Sequence, residues 1–318
     1  MKLSILDQAP IVKGKSAKDA LEESVNLAQL GERLGYHRYW IAEHHDLNGL
    51  ACPAPEVMLG AIGIKTTSIR IGAGAILLPH YKPYKVAETF NLLATLYPGR
   101  VDLGLGRSPG GSAEASVALS GNFLENVRNM PEAMDELLHF FHQDFNEDNL
   151  FSKIKPTPVP DILPVPWLLG TSGKSAVLAA EKGMNYAFGH FMSDQDVKPT
   201  ISTYRQLMKE NHPNKNPNII LAVNIYCAQS SEEAERLAYE SFKWSVNKDS
   251  QLSKEQEDEF NELRNKMIIG NPTEVKATLY EFEQNYQVSE FMVLTNTPTY
   301  ESRNKSYELL AEAILMEQ

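Results

Sequence analysis

A histidine that could move protons follows a short apolar stretch near the start of the chain. The β-rich stretch Arg38–Ala42 runs directly into Glu43, His44 and His45. Histidine titrates near neutral pH, so His44 at the end of a strand is a candidate proton-transfer residue. The alternative is that His44 packs at the rim of the fold. A metal site is not expected, because neighbouring strand residues point to opposite sides and the chain lacks an HExxH motif or a Cys/His cluster.

Two later stretches carry groups that bind anions. Arg107 follows the apolar stretch Val101–Leu105, in a run rich in glycine and serine. Thr171, Ser172 and Ser175 follow another apolar stretch and open an Ala-rich helix, so hydroxyls and free backbone amides meet at a helix N-terminus. A cation and a helix N-terminus at one edge of a sheet predict a phosphate site. The alternatives are a structural ion pair for Arg107 and simple helix capping for the two serines.

Two familiar phosphate-binding motifs are only partly present. The run GLGRSP at Gly104–Pro109 resembles GxGxxG but has proline at the third glycine. The run GTSGKS at Gly170–Ser175 shares GKS with a P-loop but lacks the four-residue spacer that wraps the phosphates. The sequence therefore favours neither a Rossmann dinucleotide site nor an ATPase.

The elements that must position these groups alternate between strand and helix. The stretch Ile69–Gly111 predicts one βαβ unit, and the alternation continues along the chain. The expected strands are residues 2–6, 38–42, 69–78, 101–105, 165–170, 185–189, 219–228 and 290–294. They predict an α/β fold, a single (β/α)8 TIM-barrel domain over residues 1–318, with the polar residues on one rim. Insertions are expected after strands 4 and 7, and the second, the charged helical segment 230–266, is a candidate lid.

Composition limits the classes of function. The chain has 318 residues, 42% of them hydrophobic, and no run of apolar residues long enough for a transmembrane helix. The start MKLSILDQAP lacks a basic-then-apolar signal peptide, so a cytoplasmic protein is expected. A formal net charge of -11 opposes general binding to nucleic acid or anionic membranes. Cys52 and Cys227 are too few for a disulfide framework, so redox chemistry would need a cofactor.

Four ordered runs resemble a known family over nearly the whole chain. The runs are AEHH at 42–45, GAGAILLPHYKPYKVAE at 72–88, LYPGRVDLGLGRSPG at 96–110 and LLGTSGKSA at 168–176. Together they resemble the bacterial luciferase-like flavin monooxygenases. The resemblance implies a (β/α)8 barrel with FMN at its C-terminal mouth and frequent homodimerisation. It also implies an enzyme that uses reduced flavin and O2 to oxidise a small organic substrate.

The resemblance also assigns roles by position. The residues that it implies for the flavin phosphate are Arg107, Thr171, Ser172 and Ser175. His44 would transfer protons near the flavin ring. Gly74 and Ala75 would form a bulge in strand 3 beneath the ring, where the family often has a cis non-proline peptide.

The sequence departs from the luciferases at Gly106, where they carry a reactive cysteine beside the flavin. Light emission and long-chain aldehyde specificity are therefore not expected, and we expect a non-luminous relative. No Rossmann motif is evident, so a separate NAD(P)H-flavin reductase would supply the reduced FMN. Two alternatives stay open: an oxidoreductase that uses the deazaflavin F420 in place of FMN, and a non-catalytic flavin-binding protein.

Overall fold

The barrel strands lie where the sequence predicts them. The computed structural model describes residues 1–216, 218–246 and 252–316. The strands in these ranges are β1 Lys2–Asp7, β2 Arg38–Ile41, β3 Arg70–Leu77, β4 Val101–Gly106, β5 Val165–Gly170, β6 Asn185–Gly189, β7 Ile219–Cys227, β8 Met267–Gly270 and β9 Glu290–Leu294. All eight expected strands are present, with ends that agree to within one residue. They are short apolar runs bounded by glycine, proline or polar residues, as is typical of buried parallel strands.

Eight strands close into a barrel surrounded by helices. Strands β1 to β6 pair in chain order, β6 pairs with β7, β7 with β9, and β9 returns to β1, with every pair parallel. The helices are α1 Ala17–Leu34, α2 Pro55–Lys65, α3 Pro83–Leu96, α4 Ala113–Ser120, α5 Phe123–Arg128, α6 Met130–His142, α7 Gly173–Glu181, α8 Val197–Asn211, α9 Ser231–Ser245, α10 Lys254–Arg264, α11 Pro272–Tyr286 and α12 Tyr300–Ile314. The predicted (β/α)8 TIM barrel is confirmed. Within the described ranges, no helix is long and apolar enough to cross a bilayer.

A strand that the sequence did not predict follows the insertion after β7. Segment 230–266 includes α9 and α10, while its residues 247–251 lie outside the described ranges. Directly after it, β8 pairs with the C-terminal half of β7, from Met267 opposite Asn224 to Gly270 opposite Cys227. A strand of 4 residues carries too little alternation to be recognised, and it is stable only through its pairing.

The insertion after β4 is divided into short helices. Periodicity predicts one helix from Phe123 to about Phe141, but α5 ends at Arg128 and α6 begins at Met130. The break precedes Pro131, which has no N–H to donate and whose ring collides with the carbonyl four residues earlier in a continuous helix. Helix α4 precedes both and is capped by Ser112, whose hydroxyl accepts a hydrogen bond from the N–H of Ala115 at 3.1 Å.

Charged side chains close the N-terminal end of the barrel. Arg38 Nη1 lies 2.6 Å from Asp102 Oδ2, and Arg38 Nε lies 2.5 Å from Glu290 Oε1. Above these ion pairs, Trp40 and Trp167 meet edge to face with ring centroids 5.5 Å apart. The pairing offsets the cost of burying three charges, and the two indoles fill the space above them. The site must therefore be formed at the opposite, C-terminal mouth, as is usual for this fold.

Candidate active site

Alternation along β2 turns His44 toward the barrel mouth. Trp40 points into the barrel, where it packs with Trp167. Because successive strand residues point to opposite faces, His44 continues on the inner face. Glu43 and His45 share the outer face, where Glu43 Oε1 lies 2.7 Å from His45 Nε2. One histidine of the pair thus faces the site, and the other packs behind it.

His44 is neutral and has an available ring nitrogen. Its Nδ1 atom is buried and has no hydrogen-bond partner among the described residues. Burial lowers the pKa of His44 to about 4, and the neighbouring His45 acts in the same direction. The backbone N–H of His44 donates to the carbonyl of Cys52 at 2.9 Å, which holds the main chain in place. A neutral imidazole with an unpaired nitrogen can exchange a proton or a hydrogen bond with a ligand in the mouth.

A buried carboxylate behind His44 joins the ends of two strands. Besides its contact with His45, Glu43 accepts hydrogen bonds from the Tyr81 hydroxyl at 2.8 Å and the Leu77 backbone N–H at 3.0 Å. These bonds tie the end of β2 to the end of β3 and therefore fix where His44 lies. Sequence reasoning missed this role. The signal for it is the alternation of EHH, which places Glu43 on the outer face while His44 faces inward.

Strand β3 bulges beside the mouth. Its pairing register with β4 shifts between Ala73 and Ile76, and the Gly74–Ala75 peptide bond is cis. A Cβ atom added to Gly106 would lie 3.1 Å from the Cβ of Ala75, so the bulge lies close against the end of β4. The bulge that the resemblance implies at these two residues is thus a real feature of the backbone.

At the N-terminus of α7, one serine hydroxyl is hydrogen-bonded within the protein and another has no partner. Ser175 is buried, and its Oγ donates to the Ser172 carbonyl at 2.7 Å and lies 2.9 Å from the Tyr186 hydroxyl. Gly170 permits this arrangement, because a Cβ there would lie 2.1 Å from Ser175 Oγ. In contrast, Ser172 Oγ is buried without a partner in the described part of the chain. The Ser172 hydroxyl and the first backbone amides of α7 are therefore available to a ligand, whereas the Ser175 hydroxyl shapes the turn.

Arg107 lies at the same edge of the barrel as α7. It follows the last residue of β4, and its exposed guanidinium has no hydrogen bond or ion pair within residues 1–216, 218–246 and 252–316. Burial raises the pKa of Tyr186 to about 12, and the charge of Arg107 acts in the opposite direction. Strand β4 pairs with β5, and α7 follows β5, so Arg107 and the start of α7 lie at the same edge of the barrel. Thr171, the residue after β5, is half-buried, and its carbonyl accepts a hydrogen bond from the Ser193 hydroxyl at 2.8 Å.

The insertion after β7 contacts loops on both sides of that strand. Trp244, near the end of α9, packs against Gly49 in the loop after β2, where an added Cβ would lie 3.4 Å from the indole. Lys266 Nζ lies 2.5 Å from Asp194 in the loop after β6. The insertion thus connects the loop after β2 with the loop after β6 at the mouth.

Comparisons with known proteins show the family of the chain. The luciferase-like monooxygenase family model matches residues 1–286. The chain belongs to the luciferase-like monooxygenase family. Its relatives include the uncharacterized protein YceB of Bacillus subtilis, 39% identical over 98% of this chain and 99% of YceB. N-acetyl-S-alkylcysteine monooxygenase of B. subtilis is 35% identical over 99% of this chain and 98% of its own length.

A more distant relative and a solved structure extend the comparison. The oxygenase component of the flavin-dependent trigonelline monooxygenase of Acinetobacter baylyi is 25% identical over 71% of this chain and 64% of its own. The crystal structure of apo-MsnO8 has a TM-score of 0.87 and 32% sequence identity, covering 99% of this chain and 98% of MsnO8. Nearly the whole chain therefore has a solved counterpart in this family.

The structure of this luciferase-like monooxygenase brings the predicted residues to one mouth. On the β2 and β3 side lie His44, Gly74 and Ala75, and on the β4 and β5 side lie Arg107, Thr171, Ser172 and Ser175. The supporting residues that sequence reasoning missed are Glu43, Tyr81 and Tyr186. Chemically, the mouth offers a cation and helix amides on one side and a neutral imidazole on the other.

Proposed function

We propose that the protein is an FMN-dependent monooxygenase that uses reduced flavin and O2 to oxidise a small organic substrate. The observation that carries this proposal is a set of unpaired polar groups at one barrel mouth: His44 Nδ1, Ser172 Oγ and the guanidinium of Arg107. Buried polar atoms without partners are destabilising, so His44 Nδ1 and Ser172 Oγ indicate positions kept for a ligand. The exposed guanidinium of Arg107 adds an unpaired positive charge at the same mouth. Their chemistry fits a molecule with a phosphate at one end and a proton-exchanging ring at the other.

Each group has a distinct part in this proposal. Arg107, Ser172 and the first amides of α7 bind the FMN phosphate, with Thr171 beside them and Ser175 holding the turn in shape. The Gly74–Ala75 bulge supports the ring. When bound, reduced FMN supplies the electrons that activate O2. His44 holds or moves a proton at Nδ1 beside the ring, and α9 limits access of water to the mouth.

Reduced FMN comes from a separate NAD(P)H-flavin reductase in this proposal. The GLGRSP run at Gly104–Pro109 lacks the third glycine of a dinucleotide-binding turn. The A. baylyi relative is named as the oxygenase component of its enzyme, which supports the same division of labour here. The name of the 35% identical relative makes N-acetyl-S-alkylcysteines the first substrates to test.

Cofactor retention followed by turnover tests the proposal. The purified protein is mixed with FMN or with F420, passed over a desalting column and examined by absorbance. We expect FMN to be retained, and we expect substrate oxidation when a flavin reductase, NADH and O2 are added. Retention of F420 in place of FMN would favour the deazaflavin alternative. FMN retention without oxidation of any N-acetyl-S-alkylcysteine or other thioether tested would favour a non-catalytic flavin-binding protein.

We further propose that segment 230–266 is a lid over the flavin, and limited proteolysis tests this. Trp244 and Lys266 hold its described parts against loops of the mouth, so a ligand beneath it should favour the closed form. With FMN and substrate at about ten times Kd, cleavage in this segment should slow about 10-fold. Trp244→Ala should be cut faster without ligand, whereas cleavage in residues 143–164 serves as the control and should not respond. Ligand-independent cleavage of 230–266 would rule out the lid.

We also propose a homodimer formed through α2 and α3. These neighbouring helices expose Val57 and Ile64 on α2, and Leu92 and Leu96 on α3, with Ile64 77% exposed. Such a paired apolar surface matches a second copy of itself about a two-fold axis. Ile64→Lys should therefore shift the protein from dimer to monomer in sedimentation velocity. The matched control is Leu150→Lys, at a leucine 72% exposed elsewhere, and equal dissociation in both variants would contradict the assignment.

A further inference from the structure

A carboxamide on β7 faces the barrel mouth with an unpaired oxygen. Ile220 and Ala222 pack inside the barrel with Trp40 and Trp167. Alternation therefore places Asn224 on the same inner face, one layer nearer the mouth. Its Oδ1 is buried and has no hydrogen-bond partner among the residues that the structure describes. A buried acceptor of this kind is destabilising unless a bound molecule supplies a donor.

The insertion covers this part of the mouth. Tyr226 lies two residues beyond Asn224 on the same face of β7, and its hydroxyl donates to Ser241 of α9 at 3.0 Å. Asn224 thus lies between the packed interior below and α9 above. A ligand that reaches it is enclosed on both sides, and in such surroundings one hydrogen bond discriminates more strongly than at an exposed surface.

Two further carboxamides follow the adjacent strands. Leu294 of β9 pairs with Asn224 on one side and with Leu6 of β1 on the other. Two residues beyond these positions, Asn296 Nδ2 donates to Gln8 Oε1 at 2.7 Å. This bond leaves the Gln8 amino group free to donate and the Asn296 oxygen free to accept. The strand ends β7, β9 and β1 therefore present amide acceptors and an amide donor side by side.

Building on the proposed function, we propose that Asn224 and the Gln8–Asn296 pair recognise an amide or imide edge of a bound ligand. Asn224 Oδ1 accepts the ligand N–H, and the Gln8 amino group donates to the adjoining ligand carbonyl. A –CO–NH– edge has the matching donor and acceptor. Two molecules in the reaction can supply it: the imide edge of the flavin ring, and the acylated nitrogen of an N-acyl substrate.

Ligand analogues that lack one N–H distinguish recognition of the flavin ring from recognition of the substrate amide. Oxidised FMN and N3-methyl-FMN are titrated against wild type and Asn224→Leu by flavin fluorescence. If Asn224 binds the imide edge of the flavin ring, wild type should bind FMN about 3- to 10-fold more tightly than N3-methyl-FMN, and Asn224→Leu should bind the two equally. In the second arm, kcat/KM is compared for N-acetyl-S-benzylcysteine and its ester analogue, in which oxygen replaces the amide N–H. If Asn224 instead binds the N–H of the substrate, wild type should have a higher kcat/KM for the amide than for the ester, and Asn224→Leu should lose this difference.

A control variant and a melting measurement distinguish a loss of ligand recognition from a loss of folding. Asn91→Leu removes another buried carboxamide with an unpaired Oδ1, but on α3 outside the mouth, and should leave both preferences unchanged. Apo Asn224→Leu should melt close to wild type, because the substitution removes the unpaired Oδ1, and Tyr226, which loses the Asn224 amide, keeps its hydrogen bond to Ser241. If wild type binds no flavin, the proposed function fails. If FMN binds but neither preference changes in Asn224→Leu, only this inference is overturned.

Discussion

Replacing His44 with alanine is expected to slow turnover by about 10²- to 10⁴-fold, the usual contribution of a positioned acid or base. FMN affinity should stay within a few-fold of wild type, because His44 is on the opposite side of the mouth from the proposed phosphate groups. His45→Ala is the matched control: His45 bonds Glu43 on the outer face, so its loss should reduce stability more than turnover. The measurement is single-turnover kinetics of the reduced, FMN-loaded protein mixed with O2 and substrate. Unchanged turnover in His44→Ala would return that residue to a packing role.

The lowered pKa of His44 also predicts a pH dependence. With a pKa of about 4, His44 is neutral throughout pH 5.5 to 8.5, so its titration should give no inflection of the rate in that range. Unfolded histidine titrates near 6.5, so between pH 6.5 and 4 the unfolded chain binds more protons than the folded chain. The stability that this residue provides is therefore complete above pH 6.5 and lost as pH falls to 4, by on the order of 3 kcal/mol. The difference in free energy of unfolding between wild type and His44→Ala from pH 4 to 7 should show this slope, because His37 and His190, whose pKa values are also lowered by burial, contribute to both proteins.

Removing the guanidinium of Arg107 is expected to weaken FMN binding by about 10- to 100-fold, because a charge-assisted contact to phosphate is lost. Riboflavin has no phosphate, so its affinity should not change. The exposed guanidinium has no partner among the described residues, so Arg107→Ala should fold like wild type. Fluorescence titration of both flavins measures these affinities, and Arg128→Ala, an exposed arginine on α5, is the matched control.

Substitutions of the two serines at the start of α7 should have different effects on FMN affinity and on stability. Ser172→Ala removes an unpaired hydroxyl and should weaken FMN binding with little change in stability. In contrast, Ser175→Ala removes three internal hydrogen bonds and should lower the melting temperature. Equal affinity of Arg107→Ala and wild type for FMN would remove the phosphate site from this edge of the barrel.

The barrel itself was predictable from local pattern. Each strand is a short apolar run that ends in glycine, proline or polar residues, and Ser16 with Asp19 marks the start of α1 through a capping box that the structure contains. Strand β8 and the break before α6 were not predicted. The first depends on pairing with β7, which is distant in sequence, and the second on a single proline inside an otherwise helical pattern.

The site was predictable to the level of which residues lie at the mouth, but not which of their atoms are free. Alternation alone separates His44 from His45. The difference between Ser172 and Ser175 depends on Tyr186, which comes from another strand, and neither serine reveals it locally. Likewise, Glu43 has its role because Tyr81 and Leu77 reach it after a bulge in β3. Such contacts join residues that are distant in sequence, so they depend on tertiary packing and cannot be predicted from local sequence patterns.

The ion pairs and indoles at the floor of the barrel also impose an order on binding. Arg38, Asp102 and Glu290 seal one end, and Trp40 with Trp167 fill the space above them, so a molecule can enter and leave only through the mouth. Two ligands bound at different depths then cannot exchange independently. If the proposed cofactor and substrate bind at different depths, the deeper one must arrive first and depart last, and steady-state inhibition patterns should be those of an ordered mechanism.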